Sequence, residues 1–366
     1  MAGDTVMRAP RKVHLDITAR CNLRCRYCYF FANEQVLYED LPTAEWLTFI
    51  DEMGRAGVME AIIAGGEPFI REDLPELLDA LVAARMRFSL LSNGGLITPE
   101  LAAKVAATGR CNFVQVSLDA ARPELHDAAR GRGSWEGAVR GLRVLGEAGV
   151  NRTVRVTIHR HNVDDLEAVA TFLLEDLGLS GFGTNAAGYL GACRQHSDSL
   201  LLTSEQRTQA MRTLVKLTER YPGRIQAAAG PLAEARMWRE MEQLRQAGAP
   251  QSARGGRLTA CGCVHAELTV RSDGAYVACS MLPQMVVGRI NVDPLLDVWQ
   301  HAPALIAMRT RSTIPLSSFA ECAACGWQPY CTGNCPGLAY SLTGQVDHPS
   351  PDACLRRYVA AGGQLV

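Results

Sequence analysis

Cys21-Asn-Leu-Arg-Cys25-Arg-Tyr-Cys28 follows directly on a short apolar run, Val13–Thr18, that reads as a β-strand. Three thiolates at C-x3-C-x2-C spacing on one tight loop can hold three irons of a [4Fe-4S] cube and leave the fourth iron open. An open iron is where an organic ligand can chelate and accept an electron. Tetrahedral zinc is the alternative, but it wants a fourth protein ligand, and none is obvious nearby. The fold must therefore end a strand beside a cofactor site.

Thirteen cysteines are unevenly placed along the 366 residues, three before residue 30, eight after residue 260, and only Cys111 and Cys193 between. No apolar run reaches the roughly 18 residues of a membrane span, and Met1 to Lys12 lacks a secretory stretch. A cytoplasmic protein is expected. Disulfides are disfavoured there, so tight cysteine groups point to metal ligation. A formal net charge of −1 gives no reason to expect nucleic acid or an anionic membrane as partner.

Between residues 13 and 185, strand-like and helix-like stretches alternate. The strand candidates are Val13–Thr18, Met59–Ala64, Phe88–Leu91, Phe113–Leu118, Thr153–Ile158 and Gly181–Thr184. The helical stretches between them are 43–55, 74–84, 99–107, 135–147 and 163–177, with apolar residues at three- and four-residue spacing. Thr43 and Thr98-Pro99 read as helix openings. Such alternation predicts an α/β fold with a parallel sheet and right-handed crossovers, in six units rather than eight. The expected domains are a partial barrel over 11–200, a helical bridge and linker over 201–257, and a cysteine-rich domain over 258–366.

Functional residues in such sheets gather at the C-terminal ends of the strands. There the chain places Gly65-Gly66-Glu67-Pro68, Ser92-Asn93-Gly94 and Ser117-Leu118-Asp119. Together with the cysteine loop, these segments resemble the radical S-adenosylmethionine (SAM) enzymes. The resemblance implies a partial (β/α)6 TIM-like barrel and a SAM-binding [4Fe-4S] cluster on Cys21, Cys25 and Cys28. It also implies reductive cleavage of SAM to a 5'-deoxyadenosyl radical. Gly65, Gly66 and Glu67 are then expected at the methionyl ammonium, and Ser92, Asn93, Ser117 and Asp119 near the ribose and carboxylate. Relatives usually show Ser-x-Asp-Gly where this chain has Ala120, so a loop needing positive φ would be harder to form. Tyr27 is expected against adenine. Arg130 is expected to meet a carboxylate, or to be a helix-terminal surface residue. Arg155, inside the fifth strand, would need a partner, and His159 and His161 are candidates for substrate contact.

The second half resembles the SPASM extension of radical SAM peptide maturases, through Cys261-Gly-Cys263, Gly274-x4-Cys279, Cys322-x2-Cys325-x5-Cys331-x3-Cys335 and Cys354. That resemblance implies two auxiliary [4Fe-4S] clusters and so three in all. Cys261, Cys263, Cys279 and Cys335 would hold one, and Cys322, Cys325, Cys331 and Cys354 the other. The alternative leaves one of Cys261 and Cys263 free, with an iron open to substrate. A zinc-ribbon domain is the rival reading. Cys111 reads as a small core residue. Cys193 lies beyond the sixth strand and is a candidate hydrogen-atom donor, with packing as the alternative.

The function so implied is maturation of a ribosomally synthesised precursor peptide, by a thioether or carbon–carbon crosslink or a similar oxidation. Epimerisation, formation of a peptide-derived redox cofactor, a sugar or small-molecule substrate, and a non-catalytic electron carrier are the alternatives. Sulfatase maturation fits less well, because Ser280 stands where those maturases carry an aspartate base. A flavodoxin or ferredoxin reductant is expected. Leader recognition is expected to fall to a separate protein, unless none is needed.

Overall fold

The computed structural model describes residues 6–31, 38–250, 255–259 and 262–366, with Cys263 described for its backbone only. The strands are β1 (Lys12–Thr18), β2 (Glu60–Gly65), β3 (Arg87–Ser92), β4 (Cys111–Ser117), β5 (Arg152–Ile158), β6 (Phe182–Ala186), β7 (Ile225–Ala227), β8 (Glu267–Val270), β9 (Ala275–Val277) and β10 (Val286–Arg289). The helices of the α/β repeat are α1 (Thr43–Ala56), α2 (Leu74–Ala83), α3 (Pro99–Ala107), α4 (Pro123–Arg130), α5 (Ser134–Glu147) and α6 (Leu166–Thr171). After them come α7 (Ser197–Leu200), α8 (Ser204–Arg220), α9 (Pro231–Gln246), α10 (Cys263–Ala266), α11 (Leu295–His301), α12 (Pro303–Thr310), α13 (Ala320–Ala323), α14 (Pro336–Thr343) and α15 (Leu355–Ala360). Six strands fall where the alternation places them. The expected helix over 163–177 is a 3₁₀ turn, then α6, then a π turn over Phe172–Asp176, and its apolar face of Leu166, Val169, Ala170, Leu173 and Leu174 is buried.

Two compact units share the chain. The first comprises residues 1–118, 122–154 and 262–307. In it β1, β2, β3 and β4 run parallel in sequence order. β8 adds in parallel on the other side of β1, with Lys12 opposite Glu267, and β9 and β10 continue antiparallel. Val13, Leu15 and Ile17 form one buried face of β1, while Lys12, His14, Asp16 and Thr18 alternate onto the other. Thr98 caps α3 by accepting from the Leu101 amide, with Pro99 in the first turn. Thr43 does not cap α1. Pro42 takes that position, and the Thr43 hydroxyl donates to Asp73 at 2.6 Å.

The second unit comprises residues 119–121, 155–261 and 308–366. β6 and β7 pair in parallel within it. Thr203 and Gln206 close a capping box on α8. Met211, Ala235, Trp238, Met241, Leu355 and Tyr358 form a core shared by α8, α9 and α15. Among the described residues no helix is long and apolar enough to cross a membrane.

Candidate functional site

In the first unit, the end of β2 is laid against the cysteine loop. The Gly66 amide donates to the Thr18 carbonyl and the Glu67 amide to the Arg20 carbonyl, both at 2.8 Å. A Cβ on Gly66 would overlap the Arg20 carbonyl, and one on Gly65, at φ +123°, would overlap that of Thr18. The close approach that these glycines permit is therefore to the backbone of the loop itself.

Glu67 is wholly buried, and its carboxylate accepts from Ser92 Oγ at 2.8 Å, the Asn93 amide at 2.7 Å and the Phe69 amide at 3.2 Å. Asn93 Nδ2 reaches back to Asn22 Oδ1 at 2.8 Å and lies 3.9 Å from Cys21 Sγ. Glu67, Ser92, Asn93 and Cys21 thus form one connected group at the ends of β2 and β3. Burial pushes the Glu67 carboxyl up to about 7 against the pull of its donors. Such a carboxyl binds its proton more tightly in the folded chain. Its share of stability should fall as pH rises from 4.5 toward 7, by up to about 1.4 kcal/mol per pH unit. Burial raises Asp16 and Glu234 to about 7 as well, so they add in the same sense. Urea unfolding of the metal-free protein at pH 5 and pH 7.5 measures this slope. Glu67→Gln should flatten it by one group's share, and an identical slope would refute the assignment.

The cysteine loop is held from several sides. Arg130, the last residue of α4, is buried, with Nη1 3.8 Å from Cys25 Sγ and its guanidinium 5.2 Å from the centre of the Tyr27 ring. The Arg26 amide donates to the Ala129 carbonyl at 2.9 Å. Two residues with no motif signal complete the support. Asp40 accepts from Thr18 Oγ1, the Ala19 amide and Arg20 Nε, and Arg71 donates to the Ile17 and Leu41 carbonyls. Only their positions in space reveal the role.

Burial pushes the Cys21 and Cys28 thiols up, which is costly for free thiolates and is reversed by a bound cation or cluster. A backbone amide two residues on donates to Cys21, Cys279 and Cys331 Sγ, at 3.4 Å each time. Amide donors to sulfur are among the features that tune iron–sulfur clusters, and the donor set fits such a group.

Elsewhere the expected residues are distributed as follows. Ser117 ends β4 in the first unit, half-buried. Asp119 belongs to the second unit, where its carboxylate accepts from the Thr157 amide at 2.8 Å and its carbonyl from Asn162 Nδ2. Ala120 is buried without a positive φ, so the glycine of relatives is not needed for backbone reasons. Arg155 Nη1 lies 3.4 Å from the Thr184 carbonyl, and the absence of a side chain on Gly183 leaves room for its guanidinium. His159 is wholly buried and its Nδ1 accepts from the His161 amide. Cys111 opens β4. Cys193 is wholly buried in a 3₁₀ turn over Gly191–His196, and desolvation raises its thiol to about 11, so it stays protonated at neutral pH.

Cys322, Cys325, Cys331 and Cys354 line one cavity in the second unit, together with Trp327 and Leu316. Desolvation raises the Cys322 thiol to about 11, and the charges of Cys331, Glu321, Cys354 and Cys325 push it the same way. Asn334 Nδ2 donates to the Ala353 carbonyl at 3.0 Å, fixing the turn into Cys354, in which Ala353 has φ +54°. Of the cysteines expected on the other auxiliary cluster, Cys279 lies in the first unit and Cys335 in the second. Cys261 and the Cys263 side chain lie outside the described residues.

Residues 15–173 match the radical SAM superfamily, and residues 261–326 match the SPASM iron–sulfur cluster-binding domain. The mycofactocin maturase MftC of Mycolicibacterium smegmatis is 32% identical over 94% of this chain and 82% of its own length. The AdoMet-dependent heme synthase of Methanosarcina barkeri is 27% identical over 94% of this chain and 96% of its own. PqqA peptide cyclase of Granulibacter bethesdensis is 24% identical over 96% and 89%. Among solved structures, Streptococcus suis SuiB bound to precursor peptide SuiA aligns with a TM-score of 0.72 at 16% identity, over 96% of this chain and 77% of that one, a likeness of fold. The cysteine loop closed by Gly65–Glu67, the four-thiol cavity and these matches lead to one statement: this chain belongs to the radical SAM superfamily and carries a SPASM iron–sulfur domain.

Proposed function

We propose that the protein is a radical SAM peptide maturase that installs a crosslink, thioether or carbon–carbon, or a similar oxidation in a ribosomally synthesised precursor peptide. The observation that carries the reading is the match to a maturase along 82% of that relative's length, joined to a four-thiol cavity separate from the first cysteine loop. When bound, the first cluster and SAM supply a carbon-centred radical able to take hydrogen from an unactivated carbon. Cys21, Cys25 and Cys28 would hold that cluster. Glu67, Ser92 and Asn93 form the connected wall on which SAM would be oriented, with Arg130 and Tyr27 on the other side of the loop. Cys322, Cys325, Cys331 and Cys354 would hold one auxiliary cluster, and Cys261, Cys263, Cys279 and Cys335 another, making three in all. A flavodoxin or ferredoxin would supply the electron, a separate protein would present any leader, and the setting would be the cytoplasm.

The heme synthase relative favours a second reading, a small-molecule substrate. Anaerobic coexpression with the short open reading frames beside the gene separates the two, with peptide masses read in H2O and in D2O. Loss of two hydrogens from one peptide is the expected result. Solvent deuterium retained at one Cα without mass loss would mean epimerisation, with Cys193 as the candidate donor. Unchanged peptides alongside active SAM cleavage would overturn the peptide reading and favour the small molecule.

A further inference from the structure

The first unit carries an exposed row of arginines that begins in the first cysteine loop and runs along α5 beside it. Arg24 is exposed within the loop and donates to the Cys21 carbonyl at 2.8 Å. The turn between α4 and α5 lies beside it, because a Cβ on Gly131 would meet the Leu23 side chain at 3.8 Å, and Arg132 is exposed on that turn. Arg140 on α5 is exposed, and its Nη2 donates to the Gly95 carbonyl at 2.8 Å. The Gly95 amide in turn donates to Asn93 Oδ1, and Asn93 lies against Cys21. Arg143 follows, one turn further along α5 and exposed. Among the described residues, neither Arg132 nor Arg143 has an ion-pair partner. Trp135, Arg140, Arg143 and Val144 line an open groove along α5, whose own carboxylates are Glu136 and Glu147. The chain as a whole carries a net charge of −1, so this concentration of arginine is local.

From this juxtaposition we infer that the face formed by Arg24, Arg132, Arg140 and Arg143 is the docking surface for an acidic, low-potential one-electron carrier protein of the flavodoxin or ferredoxin class. The inference rests on the proposed function and adds where the electron enters. Exposed guanidinium groups beside a groove that Trp135 lines attract an acidic partner and orient it. Tunnelling falls off steeply with distance, and docking here places the donor's cofactor over the loop that would hold the acceptor. In the step itself, a reduced flavodoxin gives up one electron and becomes its semiquinone, and the enzyme's cluster gains that electron. Complementary charge acts mainly on association and weakens with salt.

The test uses the cluster-loaded protein, an acidic flavodoxin reduced to its hydroquinone, and the double variant Arg132→Glu with Arg143→Glu. Arg236→Glu, an exposed site on α9, is the control. Titration of the flavodoxin should show binding weakened at least tenfold in the double variant and unchanged in the control, with wild-type affinity falling as salt rises. Flavodoxin-driven SAM cleavage should slow in parallel, while dithionite-driven cleavage stays at the wild-type rate. Equal flavodoxin affinity in wild type and double variant, with dithionite-driven cleavage intact, would overturn the docking surface and leave the proposed function standing. An acidic peptide losing affinity in place of the flavodoxin would also overturn it and assign the face to substrate. Absence of SAM cleavage with either reductant in the wild type would instead remove the proposed function.

Discussion

Cys25→Ala should abolish SAM cleavage, driven by either dithionite or a protein reductant, while leaving most auxiliary iron in place. Cys25 is the middle cysteine of the loop, and its thiol lies 3.8 Å from Arg130 Nη1. Without it, two thiolates remain for a cube that needs three protein ligands to leave a single iron open. The C-terminal thiols of Cys322, Cys325, Cys331 and Cys354 line a cavity in the other compact unit, so their iron should survive. Anaerobic reconstitution should give about 12 irons in the parent and about 8 in the variant. Unchanged SAM cleavage would remove the assignment of the first cluster. A parent value near 4 would remove the auxiliary ones.

Arg207→Ala should strongly destabilise the second unit, by about 3–5 kcal/mol. Arg207 joins Glu234 at 2.9 Å to Asp352 at 3.0 Å, and both the Arg207 and Glu234 side chains are largely buried. Removing the guanidinium leaves Glu234 with neither of its carboxylate oxygens compensated, since Oε2 already lacks a hydrogen bond. Asp352 is freed at the same time, two residues before Cys354 and within the turn that Asn334 holds. The variant should therefore also lose iron at the C-terminal cavity. Denaturant unfolding of the metal-free protein measures the first effect and iron analysis the second. Arg207→Met combined with Glu234→Leu should recover most of the stability, because an apolar pair leaves no buried charge. A loss below about 1 kcal/mol in Arg207→Ala would show the network to be solvated.

Much of this architecture is legible in the sequence because its signals are local. Most of the six repeat strands are rich in β-branched and apolar residues, β6 with its Gly183 and Asn185 being the weakest, and the cysteine groups announce themselves by spacing alone. What escapes is non-local. The four residues of β8, Glu-Leu-Thr-Val, are too few to distinguish from the surrounding cysteine-rich segment, and nothing in them names β1 as partner. Thr43 has the composition of a cap, yet Asp73 takes its hydroxyl. The paired glycines signal a close approach without saying to what. Asp40 and Arg71 look like ordinary loop charges until the fold brings them to the end of β1.

The position of β8 has a consequence for biosynthesis. His14 on β1 bonds to Glu267 on β8 across 253 residues of chain. While the ribosome is still making the middle of the protein, β1 has a neighbour on one side only, and the strand leading to Cys21 presents an unpaired edge. Pairing so distant in sequence closes late and slowly. Iron loading at the first loop should thus wait for the last third of the chain, and a nascent protein truncated before Glu267 should aggregate rather than bind iron.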